Sequence, residues 1–243
     1  KENNSNGSIG TVDVTYPSCP VFIQYNTEIM KAMLNFIFDY SESGRWKKNF
    51  AAHDVGTYPL ANGQTYQEDM PVEETGNMLI MTTAIAIADG NADYAAKHWE
   101  TLTIWSNYLA EEGLDPENQL CTEDFAGHLA HNANLSAKAI MAIAGYGRLA
   151  EMLNKPEEAK KYTEMAKKMA IEWECKANDG DHYRLAFDRP DTWSQKYNFV
   201  WDKTLGLNVL PIEIMKKEVA FYLKNQNKYG LSLIHILRAH ETL

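Results

Sequence analysis

The sequence predicts an all-α fold, in which pairs of helices are joined by alternating long and short loops. Two observations lead to this prediction. Apolar residues recur at three- and four-residue steps through most of residues 26–225, the spacing of one helix face. Helices that are apolar on all sides alternate with helices that carry a single apolar stripe, and the first kind is buried whereas the second lies at the surface. The sequence therefore predicts an inner layer of buried helices and an outer layer of amphipathic ones.

The first three predicted helices show this alternation. Residues 26–42 form an amphipathic pattern, and residues 73–88, which include MLIMTTAIAIA, are apolar nearly all round. Residues 93–112 carry tryptophan, leucine and alanine on one stripe, and Gly113 and Pro116 follow as stop signals. We therefore expect one buried helix between two surface helices.

The later helices repeat the pattern. Residues 132–152 are rich in Ala, Ile and Met, and Pro156 opens an amphipathic helix at 156–176 with Lys and Glu on its exposed face. Two further helices are predicted near 196–207 and 211–225. Strand signals are confined to about residues 10–24, where β-branched residues alternate with polar ones, so residues 1–25 are predicted to form a short β-rich lead-in to a helical domain at 26–230.

The loop lengths predict how the helices are arranged. Long loops at 43–72, 113–131 and 177–195 each precede a buried helix, and short loops follow it. An inner ring of buried helices within an outer ring of amphipathic ones is an α/α toroid, in which all the long loops meet at one mouth. An open α-solenoid is the alternative, but its repeats are usually shorter and more uniform. We therefore expect a toroid.

Composition excludes several classes of function. The 243 residues are 45% hydrophobic and carry a formal charge of −10, which argues against nucleic-acid binding and against docking on an anionic membrane. No run approaches 18 apolar residues, so no membrane span is predicted. The three cysteines are widely spaced and show neither a metal-binding nor a disulfide pattern.

The predicted catalytic residues are carboxylates at the mouth. Asp124 precedes a glycine that would let a substrate approach the backbone, although it equally suits an Asx-turn. Glu73 lies at the start of a buried helix, where desolvation would raise its pKa toward the range in which it could act as a general acid. Alternatively, it is a first-turn acid that stabilises the helix dipole. Asp54 with His53 could be a base and its partner or a loop hydrogen-bond pair. The other expected substrate-binding residues are Tyr58, Asp69, Glu74, Asn77, His128, Asp191 and Trp193, together with His53.

No cofactor is predicted, and the sequence contains no recognisable metal-binding motif, although clustered oxygens at the mouth could hold Ca²⁺.

The two ends of the chain differ in composition and pattern from its middle. The first residues contain no secretory signal and read like the middle of a longer protein, so we expect a fragment. Residues 231–243, LSLIHILRAHETL, resemble the translation of a sequencing adapter, and we expect them to form a non-native tail.

The chain resembles the glutaminase A family of large secreted bacterial and fungal proteins. The similarity rests on HDVGTYPLANG (53–63), MPVEETGNMLIM (70–81) and TEDFAGHLA (122–130), with support from residues 5–18 and 201–211. The family implies a six-hairpin α/α toroid, as in many glycosidases, preceded by a β-rich domain. Only about three and a half hairpins are expected here, so the resemblance implies a truncated member that lacks the β-rich domain and the remaining hairpins, from a secreted or periplasmic protein.

The resemblance also implies a function, the hydrolysis of L-glutamine to L-glutamate and ammonia. The residues alone do not single out this reaction, because no activated nucleophile motif is visible. Paired carboxylates also suit a glycoside hydrolase, in which Tyr58 and Trp193 would stack on a sugar. A toroid that binds carbohydrate or peptide without catalysis is a third possibility. We therefore expect a small-molecule or glycan substrate, with glutamine as the leading candidate.

Overall fold

The computed structural model describes residues 7–122 and 126–231. Within this part of the chain the fold is all-α, as predicted, and regular strand is limited to the two-residue strands β1 (Asn178–Asp179) and β2 (His182–Tyr183). A 3₁₀ turn at Tyr197–Phe199 leads into one of the helices. The α-helices are α1 (Val12–Tyr25), α2 (Thr27–Glu42), α3 (Pro71–Asp89), α4 (Asp93–Lys97), α5 (Trp99–Glu112), α6 (Ala133–Met152), α7 (Pro156–Ala177), α8 (Val200–Thr204) and α9 (Ile212–Asn225).

The helices form hairpins with an inner and an outer member. Helices α3 and α6 are buried along most of their length and pack against each other. The inner helix α1 packs on α3, the 3₁₀ turn packs on α6, and α2, α5 and α7 pack outside them. Trp201 of α8 donates a hydrogen bond to the Tyr16 hydroxyl of α1 (2.6 Å), so the inner element of the last hairpin also contacts that of the first. The predicted alternation of inner and outer helices is confirmed.

The N-terminal segment corrects one prediction. Residues 10–24 were expected to form strand, but Val12–Tyr25 is a helix. Val12, Tyr16 and Cys19 recur at helical spacing and are buried on α3, whereas Val14 and Val21 are exposed. Burial of one helical face outweighs the strand preference of β-branched residues, which depends strongly on context. The described part of the predicted β-rich lead-in is therefore mainly helical, and α1 is the inner helix of the first hairpin.

Small residues bring α3 and α6 close together. A Cβ atom added at Gly145 would lie 2.6 Å from the Thr83 hydroxyl oxygen, and one added at Gly76 would lie 2.7 Å from Cγ of Lys138. Real Cβ atoms essentially never approach so closely, so both contacts require glycine. The close approach places Lys138 of α6 directly against the first turns of α3.

The long loops lie side by side at the end where α3 and α6 begin. The backbone N–H of Val72, at the start of α3, donates to Gln119 Oε1 (3.0 Å) in the second long loop. The contact between Glu68 and His128 joins the first long loop to the second. The backbone N–H of Ala133 donates to the carbonyl of Leu185 (2.9 Å). The backbone N–H of Phe187 donates to the carbonyl of His131 (2.9 Å). The second loop is therefore joined to the third. The expected gathering of the three loops is confirmed.

No helix among the described residues combines the length and the apolar character needed to cross a lipid bilayer. The predicted adapter-like tail at 231–243 lies outside the described residues except for Leu231.

Candidate functional site

A buried charged cluster lies at the N-terminal end of α3, beside the long loops. Pro71 occupies the first turn of α3, and Glu73 and Glu74 follow it. Proline is compatible with this position, and the helix dipole favours acidic residues there. Glu73, Glu74, Asn77 and Lys138 are each at most 1% exposed. The fold has therefore placed two carboxyl groups and one ammonium group inside its core.

Lys138 and Glu73 form the centre of this cluster. Oε1 of Glu73 accepts hydrogen bonds from Lys138 Nζ, from Thr122 Oγ1 and, at 3.3 Å, from Asn77 Nδ2. Lys138 Nζ also donates to Asn77 Oδ1 (2.6 Å), so the amide bridges the two charged groups. Thr122 belongs to the second long loop, which is thereby attached to α3. Three side chains, those of Lys138, Thr122 and Asn77, therefore fix the position of the Glu73 carboxylate.

Sequence reasoning missed Lys138, although a signal was present. It is the one charged residue between positions 133 and 147 of an otherwise apolar helix, and a charge in a buried helix requires a partner. The ammonium group also lies 4.1 Å from the centre of the Tyr16 ring. The Tyr16 hydroxyl donates to Asn198 Oδ1 (2.7 Å), which extends the polar network to the last hairpin. Tyr16 and Asn198 were also not predicted.

Glu74 lies in a different environment from its neighbour. Its Oε2 accepts a hydrogen bond from Asn77 Nδ2 (3.1 Å), and its Oε1 is buried without a hydrogen-bond partner among the described residues. Burial raises the pKa of Glu74 well above its ordinary range, and the negative charges of Asp13 and Glu73 raise it further. The two adjacent glutamates therefore have different contacts: Lys138 Nζ donates a hydrogen bond to Glu73 and not to Glu74.

His53 lies between two aspartates beside this cluster. Its Nδ1 is 2.9 Å from Asp54 Oδ2, and its Nε2 is 3.5 Å from Asp13 Oδ1. The ring stacks on Tyr66 with centroids 4.0 Å apart, and it is 3% exposed. Asp13, His53 and Glu74 each place one nitrogen or oxygen atom within 4.8 Å of those of the other two. Asp13 was hidden from sequence reasoning because its segment was interpreted as strand.

Asp54 holds the first long loop in shape. Its carboxylate accepts backbone hydrogen bonds from Gly56 (2.8 Å), Thr65 (3.0 Å) and Tyr66 (3.1 Å). Burial opposes the ionisation of Asp54, but the hydrogen bonds from His53 and from these N–H groups outweigh it and lower its pKa. The contacts match the loop hydrogen-bond pair that was one of the two interpretations of His53 and Asp54.

Three predicted binding residues lie at the loop surface. Asp69 accepts hydrogen bonds from Lys48 Nζ and, at 3.1 Å, from Gln64 Nε2. The half-exposed His128 ring contacts Glu68, which joins the second loop to the first. Tyr58 is 61% exposed, so it too lies at the surface.

The remaining predicted residues lie elsewhere or outside the described part. The backbone N–H of Asp191 donates to Asp179 Oδ2 (2.6 Å), beside the short β-hairpin. Trp193 packs edge-on against Phe221 of α9, with centroids 5.2 Å apart. The structure therefore brings Glu73, Glu74 and Asn77 together with His53 and Asp54. Asp191 instead contacts the short β-hairpin, and Trp193 contacts α9. Asp124 lies outside the described residues.

Comparison with known proteins agrees with this architecture. The model of the glutaminase A six helical-hairpin domain matches residues 1–238. Glutaminase A of Aspergillus oryzae is 36% identical over 240 residues, which cover 96% of this chain and 35% of that protein. A probable glutaminase of Arthroderma benhamiae is 26% identical over 321 residues, covering 96% of this chain and 37% of that protein. The chain thus spans about a third of the length of these relatives. It belongs to the glutaminase A six helical-hairpin domain family.

Proposed function

We propose that the full-length protein containing this sequence hydrolyses L-glutamine to L-glutamate and ammonia. The names of the two relatives, glutaminase A and probable glutaminase, support this reaction. Because the chain spans about a third of each relative, the proposal concerns the full-length protein rather than residues 1–243 in isolation. Export from the cell, which the family resemblance implies, is part of the same proposal.

The observation that carries the proposal is the buried contact between Glu73 and Lys138 beside the long loops. Burying two charges costs desolvation free energy that their attraction often fails to recover, so such a pair is weak evidence for a purely stabilising role. Charged groups arranged inside a protein beside a group with a shifted pKa are instead typical of functional sites. Glu74, the neighbour of Glu73, is such a group.

The proposed chemistry uses Glu73 as a general base. Glu73 takes a proton from water as the water oxygen bonds to the side-chain amide carbon of glutamine. The C–N bond then breaks, and the nitrogen leaves as ammonia after it accepts a proton from an acid. We propose Asp124 as that acid. Lys138 and Asn77 position the Glu73 carboxylate through the hydrogen bonds described above. Because these groups are buried, a substrate reaches them only when packed neighbours move aside.

The loop surface offers charges of both signs for the ends of an amino acid. Glutamine carries an α-ammonium and an α-carboxylate group, so its recognition requires an acidic and a basic partner. Asp69 contacts Lys48, and Glu68 contacts His128, on the loops that lead to α3 and α6. We propose that these pairs, with Tyr58, form the outer part of the glutamine site.

The experiment is a paired assay of the purified full-length protein. Ammonia release is measured with L-glutamine and, as a control, with L-asparagine, and reducing-sugar release is measured with a panel of glycans. The proposal predicts ammonia from glutamine and no release of sugar. Sugar release without ammonia would establish the glycoside hydrolase instead. Binding of either ligand class without turnover would indicate a non-catalytic toroid, and both results would overturn the proposal.

A further inference from the structure

Three potential metal ligands surround one point beside the Glu73–Lys138 cluster. His53 Nε2 lies 3.5 Å from Asp13 Oδ1, and one Glu74 oxygen completes a set whose atoms all lie within 4.8 Å of one another. Two ligands of a tetrahedral zinc ion, each bonded at about 2.0–2.2 Å, are about 3.4 Å apart. The distance between His53 and Asp13 therefore already matches that of two ligands of one ion.

The orientation of His53 is the second observation. Asp54 accepts three backbone N–H groups and so is held as a carboxylate, which makes its contact with His53 Nδ1 a hydrogen bond donated by the ring. The other ring nitrogen, Nε2, then faces the Asp13 carboxyl group at 3.5 Å. In metal sites, a histidine that binds the metal through one ring nitrogen usually donates a hydrogen bond from its other ring nitrogen to a carboxylate or carbonyl group.

Glu74 supplies the third observation. Its side chain is fully buried, and its Oε1 has no hydrogen-bond partner among the described residues. A buried polar atom without a partner costs free energy. A cation bound among Asp13, His53 and Glu74 would give the buried Glu74 carboxyl group a further partner.

We propose that Asp13, His53 and Glu74 bind a divalent transition-metal ion, with Asp54 as the residue that positions the His53 ring. An imidazole with two carboxylates suits zinc, whereas calcium and magnesium prefer sites built from oxygen alone. Three protein ligands leave a fourth position for water, as in zinc sites that are not purely structural. The Asp13 side chain is 18% exposed, so the site adjoins the surface on that side. The proposal is independent of the glutamine reaction.

The test measures metal binding without turnover. The full-length protein is stripped with a chelator and titrated with Zn²⁺, and bound metal is counted by elemental analysis. Co²⁺ is added in parallel, because its visible absorbance reports the ligand geometry. We expect one ion per chain and an Asp13→Asn variant with at least about tenfold weaker affinity. The control is Asp115→Asn, because Asp115 also pairs with a histidine, His131, but belongs to no such three-donor cluster among the described residues. Its affinity should be unchanged.

Two results would overturn the metal site. Failure of the folded wild-type protein to bind Zn²⁺ or Co²⁺ saturably would show that Asp13, His53 and Glu74 hold no such metal ion. Equal zinc affinity in wild type and Asp13→Asn would place any bound ion elsewhere. If Asp13→Asn does not fold, the wild-type stoichiometry and the Co²⁺ spectrum decide alone. Because no measurement uses glutamine, failure here leaves the proposed reaction standing, and the converse also holds.

Discussion

Glu73 and Lys138 depend on each other because each would otherwise be an isolated buried charge. Both side chains are at most 1% exposed, and Asn77 bridges them. Removing one partner of a buried pair leaves the other charge without compensation, which typically costs about 3–5 kcal/mol. Replacing both by uncharged groups of similar volume is often neutral. The stability of variants at these two positions should therefore be strongly non-additive.

We expect Glu73→Gln alone to lower the free energy of unfolding by about 3 kcal/mol or more, because Lys138 loses its counter-charge. The double variant Glu73→Gln/Lys138→Met should recover most of that loss. Urea unfolding of wild type, both single variants and the double variant measures the coupling. Additive losses in the double variant would show that the two charges do not stabilise each other inside the protein.

The sequence predicted part of this site. Glu73, Glu74 and Asn77 were identified together because they lie one turn apart on an apolar helix, a relation that periodicity reveals. Lys138 was missed because its partner lies 65 residues away, on another helix. The pairing of such distant positions is set by helix packing, which a single sequence does not encode locally. The catalytic role of Asp124 remains a prediction.

At the scale of elements, a polar contact joins the start of α2 to the end of α3. Asp89 accepts hydrogen bonds from Lys31 Nζ (2.6 Å) and Thr27 Oγ1 (2.6 Å). Burial opposes ionisation of Asp89, but these contacts outweigh it and lower its pKa below the ordinary value. A carboxylate with a lowered pKa in the folded state contributes stability above its unfolded pKa. It loses that contribution as the pH falls through its folded pKa.

We expect Asp89→Asn to reduce the free energy of unfolding by about 1 kcal/mol at pH 7, the upper range for a partly exposed ion pair. The difference from wild type should shrink as the pH falls below about 4. Urea unfolding at several pH values measures it, with the exposed Asp188→Asn as control. A difference that stays constant or grows toward acid pH would contradict the assigned charge state.

The contact between α3 and α6 gives a second prediction at this scale. Gly145→Ala would place a Cβ atom 2.6 Å from the Thr83 hydroxyl oxygen. Alanine favours a helix by about 1 kcal/mol over glycine, but overpacking costs about 1–3 kcal/mol. We therefore expect a net loss of stability, measured by thermal unfolding. The loss should become smaller when Thr83 is already alanine, and an equal loss in both backgrounds would show that the helices are not in close contact here.

At the scale of the whole molecule, the three cysteines lie in three different environments. Cys19 on the inner helix α1 is fully buried, Cys121 is buried in a long loop, and Cys175 on the outer helix α7 is exposed. Burial raises the pKa of Cys19 to about 12, so both access and thiolate formation are suppressed. The layered arrangement of helices therefore predicts that the exposed thiol of Cys175 reacts faster than the buried thiol of Cys19.

We expect iodoacetamide at pH 8 to modify Cys175 rapidly in the native protein, and Cys19 only after unfolding. Peptide mapping by mass spectrometry follows each residue separately, and a sample in denaturant provides the control in which all three react. Rapid native modification of Cys19 would contradict the placement of α1 inside the fold.

The architecture was more predictable than the site because it depends on patterns repeated along the chain. The positions of α3, α6 and α7 follow from the periodicity of apolar residues, and the long loops meet as their lengths suggested. The exception, α1, contains Pro17, Pro20 and several β-branched residues, so its local preference opposes the helix that tertiary burial selects. The buried charges depend on the assembled fold, so they could be predicted only in part.

In the proposed reaction, the Glu73 carboxylate takes a proton from the water that attacks glutamine. The most direct test is kcat for ammonia release from L-glutamine by the full-length protein. It compares wild type, the Glu73→Gln/Lys138→Met variant and a control, Glu100→Gln, on the exposed face of α5. We expect the double variant to remain folded but lose about a hundredfold or more in kcat, the usual scale for a general acid or base. The control should match wild type. Near-wild-type kcat in a folded double variant would contradict the account and place the catalytic base elsewhere.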